Sequence, residues 1–111
     1  MTDKIVLLST CETEADARRI ATHLVEHRLA ACVNIVNGAT SVYRWKGKIE
    51  TASEFILIIK SKRELVMKIL EEFLTIHPYE APELIALPIV DGSRTYLNWL
   101  EEALGNDIPV T

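Results

Sequence analysis

The chain has 111 residues, 49% hydrophobic and 25% charged, with four Gly and four Pro. This size and composition predict a single globular domain over residues 1–111 and exclude disordered and collagen-like chains. Sixteen acidic residues against twelve basic ones give a formal charge of -4, which opposes binding to nucleic-acid phosphates, so no nucleic-acid partner is expected.

The first predicted elements are a strand and a helix. The apolar run from Lys4 to Thr10 is typical of a strand that is central in a sheet or covered on both faces. Thr13 and Asp16 then resemble a capping box, with Asp in place of Glu. The helix should end near His27. Its apolar residues recur at i, i+3, i+4 and i+7, the pattern of one buried helix face: Ala17, Ile20, Ala21 and Leu24.

A long β-hairpin is predicted next. A period of two runs from Ala31 to Val36 and resumes from Val42 to Trp45, and two turn signals compete for the reversal of the chain. We place the turn at Lys46-Gly47, with Asn37-Gly38 as a bulge inside one long strand. The return strand then runs from Ile49 to Ile59, where charges such as Glu54 are expected to mark solvent or an interface rim. The alternative is a shorter hairpin that turns at Asn37-Gly38.

The predicted hairpin is longer than the rest of the sheet. At about 3.3 Å per residue, a strand from Ala30 to Lys46 spans roughly 55 Å, whereas the first strand spans only about 23 Å. An uncovered two-stranded ribbon is marginally stable in water, so it needs a partner, and another copy of the chain is the simplest one. We therefore expect a homo-oligomer whose interface is anchored by exposed apolar residues of the hairpin: Val42, Tyr43 and Trp45.

A second helix is predicted after the hairpin. Ser61 and Glu64 form a complete capping box, and apolar residues follow at helical spacing. The helix must end before Pro78, because the residue that precedes a proline is disfavoured in the α region.

The remaining elements are an edge strand and a last helix. Glu83 to Val90 predicts a strand, and Pro88 inside it places that strand at the edge of the sheet. Asp91 or Ser93 can cap the last helix, and Gly105 can end it. The element order is then strand, helix, strand, strand, helix, strand, helix. This is the split βαβ pattern of ferredoxin-like α+β folds, with a long hairpin and an appended C-terminal helix.

This topology brings three segments to one edge of the sheet: the end of the first strand at Cys11, the outer hairpin, and the segment from His77 to Pro82. The two prolines stiffen that segment, while His77, Tyr79 and Glu80 project from it. One interpretation is a rigid loop that presents metal ligands or proton carriers. The alternative is a helix stop that turns into the edge strand, with His77 bonded to a backbone carbonyl.

The cysteines and the other histidines leave alternatives open. Cys11 precedes a helix N-terminus, where the dipole lowers a thiol pKa, so it could be a nucleophile or a soft-metal ligand; a small buried packing residue is the alternative. Cys32 is expected to pack and not to form a disulfide with Cys11. His23 and His27 have a chelating spacing, but a solvated helix face is the preferred interpretation.

Several classes of function are not indicated. No apolar run approaches the ~20 residues of a membrane span, and Met1 to Lys4 enter strand-like sequence without a signal peptide, so we expect a cytoplasmic protein with no membrane partner. The motifs of common enzyme classes are missing, so a binding protein is expected. An alternative is a small thiol-dependent enzyme with Cys11 as nucleophile and His77 as base.

Several short stretches of the sequence occur together, in order, in one known family. Over nearly its full length the chain resembles the CutA divalent-cation tolerance family. The matching stretches are Ser9 to Cys11, Leu29 to Asn34, Gly38 to Trp45, Gly47 to Glu50, the apolar run ending at Lys60, His77 to Glu83, and Tyr96 to Trp99.

The resemblance implies a ferredoxin-like protomer in a tight homotrimer, in which the hairpin wraps a neighbour. It also implies a role in tolerance of, and response to, copper or other divalent metals. Where copper is attributed to family members, the ligands are a Cys at the end of the first strand and a His pair before Pro-Tyr. Here His77 matches the second His, Ile76 stands at the first, and Ser9 stands at the Cys position, with Cys11 two residues on.

His77 and Cys11 are therefore the expected metal ligands. The expected ligand-binding or interface residues are Tyr79, Glu80, Tyr43 and Trp45. A small-molecule-binding trimer of the signalling type stays open as an alternative function.

Overall fold

The computed structural model describes residues 2–105, so residue 1 and residues 106–111 of the expected domain lie outside the described part. Four strands form one antiparallel sheet in the order β2-β3-β1-β4. Together with three helices this is the mixed α+β architecture that the sequence predicts. The elements are β1 Lys4–Cys11, α1 Glu14–Glu26, β2 Cys32–Trp45, β3 Lys48–Lys62, a 3-10 turn Arg63–Leu65, α2 Val66–Ile76, β4 Ile85–Pro88 and α3 Arg94–Leu104.

The chain contains two strand–helix–strand units, β1-α1-β2 and β3-α2-β4. In the sheet, a strand of one unit lies between the two strands of the other. β3 lies between β1 and β2, and β1 lies between β3 and β4. α1 and α2 pack on one face of this sheet, and the predicted buried face of α1 is confirmed. The largest side chains buried between the sheet and the two helices are Leu7, Ile20, Leu24, Leu57, Ile59, Ile69 and Phe73.

The opposite face of the sheet carries apolar side chains that neither α1 nor α2 covers. In β1 the buried residues Ile5, Leu7, Ser9 and Cys11 alternate with partly exposed ones. β1 is therefore central in the sheet, as predicted, but within residues 2–105 only one of its faces is fully covered. The strand register places these apolar residues on the other face, which we call the open sheet face: Val6, Leu8, Val36, Ile56, Ile58, Ile85 and Leu87.

The hairpin has the length and the turn that the sequence predicts. β1 pairs with β3 only as far as Cys11 opposite Phe55, so the segment 39–54 pairs with nothing but itself. The chain reverses at Lys46 and Gly47, whose φ angles are 50° and 82°. The register shifts between Val36 and Ala39, which is the predicted bulge at Asn37-Gly38. The alternative of an early turn at Asn37-Gly38 is wrong.

The projecting hairpin gives the described chain an elongated shape. Its longest dimension is 53 Å and its radius of gyration is 15.1 Å. A compact chain of this length has a radius of gyration of about 13 Å. The overhang inferred from strand lengths is confirmed.

Two of the three predicted helix N-caps are confirmed, those of α1 and α3. The Thr13 hydroxyl accepts a 3.1 Å hydrogen bond from the Asp16 N–H and begins α1. Ser93, rather than Asp91, caps α3 by accepting from the Tyr96 N–H. Gly105 is the C-cap of α3, as predicted.

The predicted capping box at Ser61 and Glu64 is wrong. Ser61 is still part of β3, and its buried hydroxyl donates a 2.6 Å hydrogen bond to the carbonyl of Leu29. Because a tertiary partner takes the hydroxyl, the chain passes through a 3-10 turn and α2 begins at Val66 without a side-chain cap. The predicted end of α2 before Pro78 is confirmed.

The edge strand β4 is shorter than predicted, although its edge position is confirmed. It pairs with β1 over four residues only, from Ile5 opposite Pro88 to Leu8 opposite Ile85. The chain then leads to α3, whose Leu100 and Leu104 pack against Ala31. In residues 2–105 no helix has the length and apolar character needed to cross a bilayer.

Candidate functional site

The loop between α2 and β4 is fixed to the end of β1 by His77. Its imidazole is buried, with Nε2 2.8 Å from the carbonyl oxygen of Thr10. The Tyr79 N–H donates a 3.1 Å hydrogen bond to Nδ1. Because Nδ1 accepts, the ring proton is assigned to Nε2, which donates to Thr10. These contacts agree with the alternative interpretation of His77. In that interpretation the residue ends the helix and its side chain bonds to a backbone carbonyl.

Tyr79 fixes the same loop to the hairpin. Its hydroxyl donates a 2.7 Å hydrogen bond to Oε2 of Glu54. Glu54 is buried, with 8% of its surface exposed, so the expectation that it marks solvent or a rim is wrong for the single chain. Burial and the hydrogen bond to Glu54 both raise the pKa of the Tyr79 phenol. We call the meeting point of Thr10, Cys11, Glu54, His77 and Tyr79 the loop junction.

Cys11 contributes a buried thiol to the hydrophobic core beside the loop junction. Its side chain is inaccessible to solvent. Burial, followed by the charges of Asp16 and Glu54, raises the thiol pKa to about 11. This shift is opposite to the one predicted from the helix dipole, because the desolvation of a buried thiolate outweighs the dipole. The thiol is therefore protonated at neutral pH.

The outer hairpin and the loop enclose a cleft of about 340 Å³. All four residues predicted for ligand binding or for the interface line it, so the outer hairpin and the loop meet as predicted, whereas Cys11, predicted to face the same region, is not among its lining residues. We call it the hairpin cleft. Its lining residues are Glu12, Tyr43, Trp45, Ala52, Tyr79, Glu80 and Ala81.

The apolar side chains of the outer hairpin are largely uncovered. Tyr43 and Trp45 expose 44% and 41% of their surface, and Val42 and Ile49 expose more than 60%. The hairpin thus offers aromatic and aliphatic contact area that the described part of the chain leaves exposed.

The two histidines at the end of α1 differ in their surroundings. His27, the C-cap residue of α1, is exposed, as the solvated-face interpretation predicts. His23 is partly buried: its Nε2 lies 2.6 Å from a carboxylate oxygen of Glu72 on α2, and its ring stacks on that of His27 with centroids 4.1 Å apart. The hydrogen bond to His23 lowers the pKa of Glu72. His23 therefore links the two helices. Within residues 2–105 no group of three or more His, Cys, Asp or Glu side chains is arranged to hold a metal ion.

The two cysteines are both free, as predicted. The metal-ligand roles of His77 and Cys11 stay predictions. For His77 to bind a metal, one of its two hydrogen bonds must break. For Cys11 to bind, the thiol must lose its proton and reach the ion.

Two features of the site were missed by sequence reasoning. Glu54 lies 25 residues from Tyr79 in sequence, and nothing in the local pattern of β3, which also carries Glu50, marks it as the buried carboxylate. The open sheet face gives no signal in β1 or β3, because a continuous apolar run is the same whether one or two faces are covered within the chain.

The comparisons with known proteins agree with this architecture. A family model described as CutA1 divalent ion tolerance protein matches residues 5–103. The chain belongs to this family. The resemblance drawn from the short sequence stretches is therefore confirmed.

Individual relatives cover the same part of the chain. The divalent-cation tolerance protein CutA of Thermus thermophilus is 49% identical over 100 residues, which is 90% of this chain and 97% of that protein. A CutA homolog of Danio rerio is 46% identical over 99 residues, 89% of this chain; the chain spans 66% of that relative. The crystal structure of CutA from Xylella fastidiosa superposes with a TM-score of 0.90 at 39% identity, over 94% of this chain and 100% of that one.

Proposed function

We propose that the protein is a homotrimer that binds copper or another divalent cation at the loop junction and so contributes to divalent-cation tolerance. Membership of the family supports the tolerance role. The observation that carries the assembly is the open sheet face together with the projecting hairpin, neither of which is fully covered by the described residues of one chain. The ferredoxin-like protomer and the cytoplasmic location expected from the sequence are part of the same proposal.

The open sheet face supports assembly because, within residues 2–105, its apolar side chains are only partly buried or are exposed. Val36, Ile85 and Leu87 expose 42%, 51% and 46% of their surface. Burial of apolar surface contributes roughly 25 cal/mol per Å², so the contact of such faces favours association. The projecting hairpin of one copy can then lie along its neighbour. Three copies is the number implied by the family resemblance.

The loop junction supports cation binding through the donors that it gathers. The Glu54 carboxylate and the His77 imidazole both lie there, and Cys11 follows Thr10, the residue that His77 contacts. Burial raises the pKa of the Cys11 thiol. A divalent cation bound nearby would lower it again, because the positive charge stabilises the thiolate. Because one chain gives no complete ligand set in its described residues, we place the bound cation where a neighbouring copy adds donors.

A thiol-dependent enzyme is not favoured by this geometry. A nucleophilic cysteine needs a thiolate and access to its substrate, whereas Cys11 is buried with a pKa of about 11. A general base needs a free lone pair, whereas Nδ1 of His77 accepts from the Tyr79 N–H. We therefore propose a binding protein.

Calorimetric titration of the assembled protein with Zn²⁺ tests the cation site without oxidising the thiols. We expect His77→Ala and Glu54→Gln to weaken binding by at least about tenfold. His27→Ala is the matched control, because His27 is the exposed C-cap residue of α1 and does not belong to the loop junction, and it should leave the isotherm within about twofold. Unchanged isotherms in both junction variants would remove the loop junction as the cation site. Zn²⁺ titration of Cys11→Ser then assigns the thiol.

A further inference from the structure

Tyr79 is bonded to two of the side chains that the proposed cation site needs. Its backbone N–H donates to Nδ1 of His77 at 3.1 Å, and its hydroxyl donates to Oε2 of Glu54 at 2.7 Å. The rings of His77 and Tyr79 also meet edge to face, with centroids 4.7 Å apart. One residue of the loop therefore occupies a lone pair of the imidazole and a lone pair of the carboxylate, and both groups are proposed cation donors.

The chemistry of imidazole makes the backbone contact of Tyr79 incompatible with a cation bound to His77. A neutral imidazole carries one N–H and one free lone pair. Here Nε2 carries the proton and donates to the carbonyl oxygen of Thr10, so Tyr79 occupies the lone pair, which is on Nδ1. A cation at Nδ1 takes that lone pair, and a cation at Nε2 moves the ring proton to Nδ1, where it faces the Tyr79 N–H. The Tyr79 N–H is released in both cases.

The hydrogen bonds of Tyr79 also hold the loop between α2 and β4. Within residues 2–105, no other residue of the segment 78–82 makes a hydrogen bond. The prolines at its two ends lack an N–H, and Pro78, Glu80 and Ala81 are exposed. Once the Tyr79 N–H is released, the bond from its hydroxyl to Glu54 is the one that still opposes movement of the loop.

We propose that Tyr79 is a latch on the loop junction, closed in the cation-free protein and released when a divalent cation binds. The inference rests on the cation site of the proposed function and adds its regulation. The closed latch gives the buried His77 and Glu54 the hydrogen bonds that buried polar groups require. Because only the open fraction of the protein binds, the apparent affinity is reduced by that fraction. The site then fills when the cation is abundant, which agrees with a role in tolerance.

A latch and a supporting contact predict opposite effects of the Tyr79 hydroxyl on affinity. A hydroxyl that positions Glu54 for the cation strengthens binding, so its removal weakens binding. A hydroxyl that competes with the cation has the opposite effect, because its removal frees the carboxylate and favours the open loop. The sign of the change in affinity therefore separates the two roles.

Calorimetric titration of assembled Tyr79→Phe with Zn²⁺ tests the latch, with the mass of each variant checked by sedimentation. The change keeps the backbone N–H and removes the hydroxyl. We expect Zn²⁺ to bind at least about fivefold more tightly than to the wild type, because a hydrogen bond to a charged group no longer opposes it. Adding His77→Ala should abolish this gain. The matched control is Tyr96→Phe, at a half-exposed ring on α3, which should leave the isotherm within about twofold.

Hydrogen exchange in the wild type gives a second readout that needs no variant. The Tyr79 N–H is hydrogen-bonded in the closed latch, so it should exchange at least about tenfold faster at saturating Zn²⁺. The His77 N–H, which donates to the carbonyl of Phe73 at the end of α2, is the internal control and should keep its rate.

The possible failures separate the latch from the cation site. Zn²⁺ binding that is unchanged or weaker in Tyr79→Phe, while His77→Ala still weakens it, would overturn the latch and leave the site standing. An unchanged exchange rate of the Tyr79 N–H at saturating Zn²⁺ would do the same. Zn²⁺ isotherms that His77→Ala and Glu54→Gln both leave unchanged would remove the site and the latch with it. If Tyr79→Phe fails to assemble, the exchange rate of the Tyr79 N–H in the wild type decides.

Discussion

The hydroxyl of Tyr79 donates a 2.7 Å hydrogen bond to the buried carboxylate of Glu54, which joins the loop after α2 to the projecting hairpin. Tyr79→Phe removes the donor and leaves the carboxylate buried without this partner. We expect a loss of about 1–3 kcal/mol in the free energy of unfolding, measured by denaturant titration at fixed protein concentration. Tyr96→Phe, at a half-exposed ring on α3 outside the hairpin, should change it by less than about 0.5 kcal/mol. Equal effects of the two changes would contradict this role of Glu54.

The ion pairs of α3 predict a loss of stability in acid. Hydrogen bonds from Lys4 and Lys62 lower the pKa of Glu101 below its ordinary value of 4.5. Because the folded-state pKa is the lower one, the stabilisation is present above pH 4.5 and is lost as the pH falls through the folded-state pKa. We expect the difference in unfolding free energy between the wild type and Glu101→Gln to shrink from about pH 5 to pH 3. A difference that is constant over this range would be inconsistent with the ion pairs.

Because the Cys11 thiol is buried, we expect it to react slowly with alkylating reagents. Its pKa of about 11, against 9.0 for an ordinary cysteine, reduces the thiolate fraction at pH 8 by about 100-fold. In a Cys32→Ser background, alkylation by iodoacetamide should therefore be at least about 100-fold slower than that of a cysteine peptide. Labelling in denaturant should restore the ordinary rate. A folded-state rate close to that of the peptide would revive the thiol enzyme as an alternative function.

The hairpin turn carries a strained residue. Lys46 has a φ of 50° and Gly47 a φ of 82°, which is left-handed backbone at both turn positions. Asn tolerates this conformation better than Lys, so Lys46→Asn should raise the free energy of unfolding by up to about 1 kcal/mol, and Gly47→Ala should lower it by about 1 kcal/mol or more. The control is Lys48→Asn, because Lys48 begins β3. A gain at Lys48 as large as that at Lys46 would mean that the turn conformation is not the cause.

Local patterns of the sequence predicted most of the fold. The alternation of β2, the apolar face of α1 and the helix stop at Pro78 depend on residues that are close in the chain, and the structure agrees with each. The Ser61 capping box failed because its hydroxyl bonds to Leu29, which is 32 residues away in sequence. A local motif cannot show that a distant carbonyl competes for its side chain.

The site was predictable in outline but not in its contacts. Topology alone placed Cys11, the outer hairpin and the loop at His77 near one another, since strand and helix ends meet at sheet edges. The pairing of Tyr79 with Glu54 depends on side-chain packing, and so does the burial that raises the pKa of Cys11. Neither follows from sequence spacing.

Assembly through the open sheet face can be tested at a single residue. Val36 lies on that face and is 42% exposed, whereas Leu74 lies on the outer side of α2 and is 78% exposed. We expect Val36→Glu to weaken the trimer, because each interface would bury an unpaired charge, and Leu74→Glu to leave it intact. If Leu74→Glu dissociated the trimer and Val36→Glu did not, the interface would lie on α2 and not on the open sheet face.

The most direct test of the account is the mass of the folded protein in solution, measured by sedimentation equilibrium at micromolar concentration. The chain has a mass of 12.5 kDa. A trimer that covers the open sheet face and the projecting hairpin predicts one particle of about 37 kDa, three times the 12.5 kDa of the chain. A well-folded particle of 12.5 kDa under these conditions would contradict the assembly and the sites that depend on a neighbouring copy.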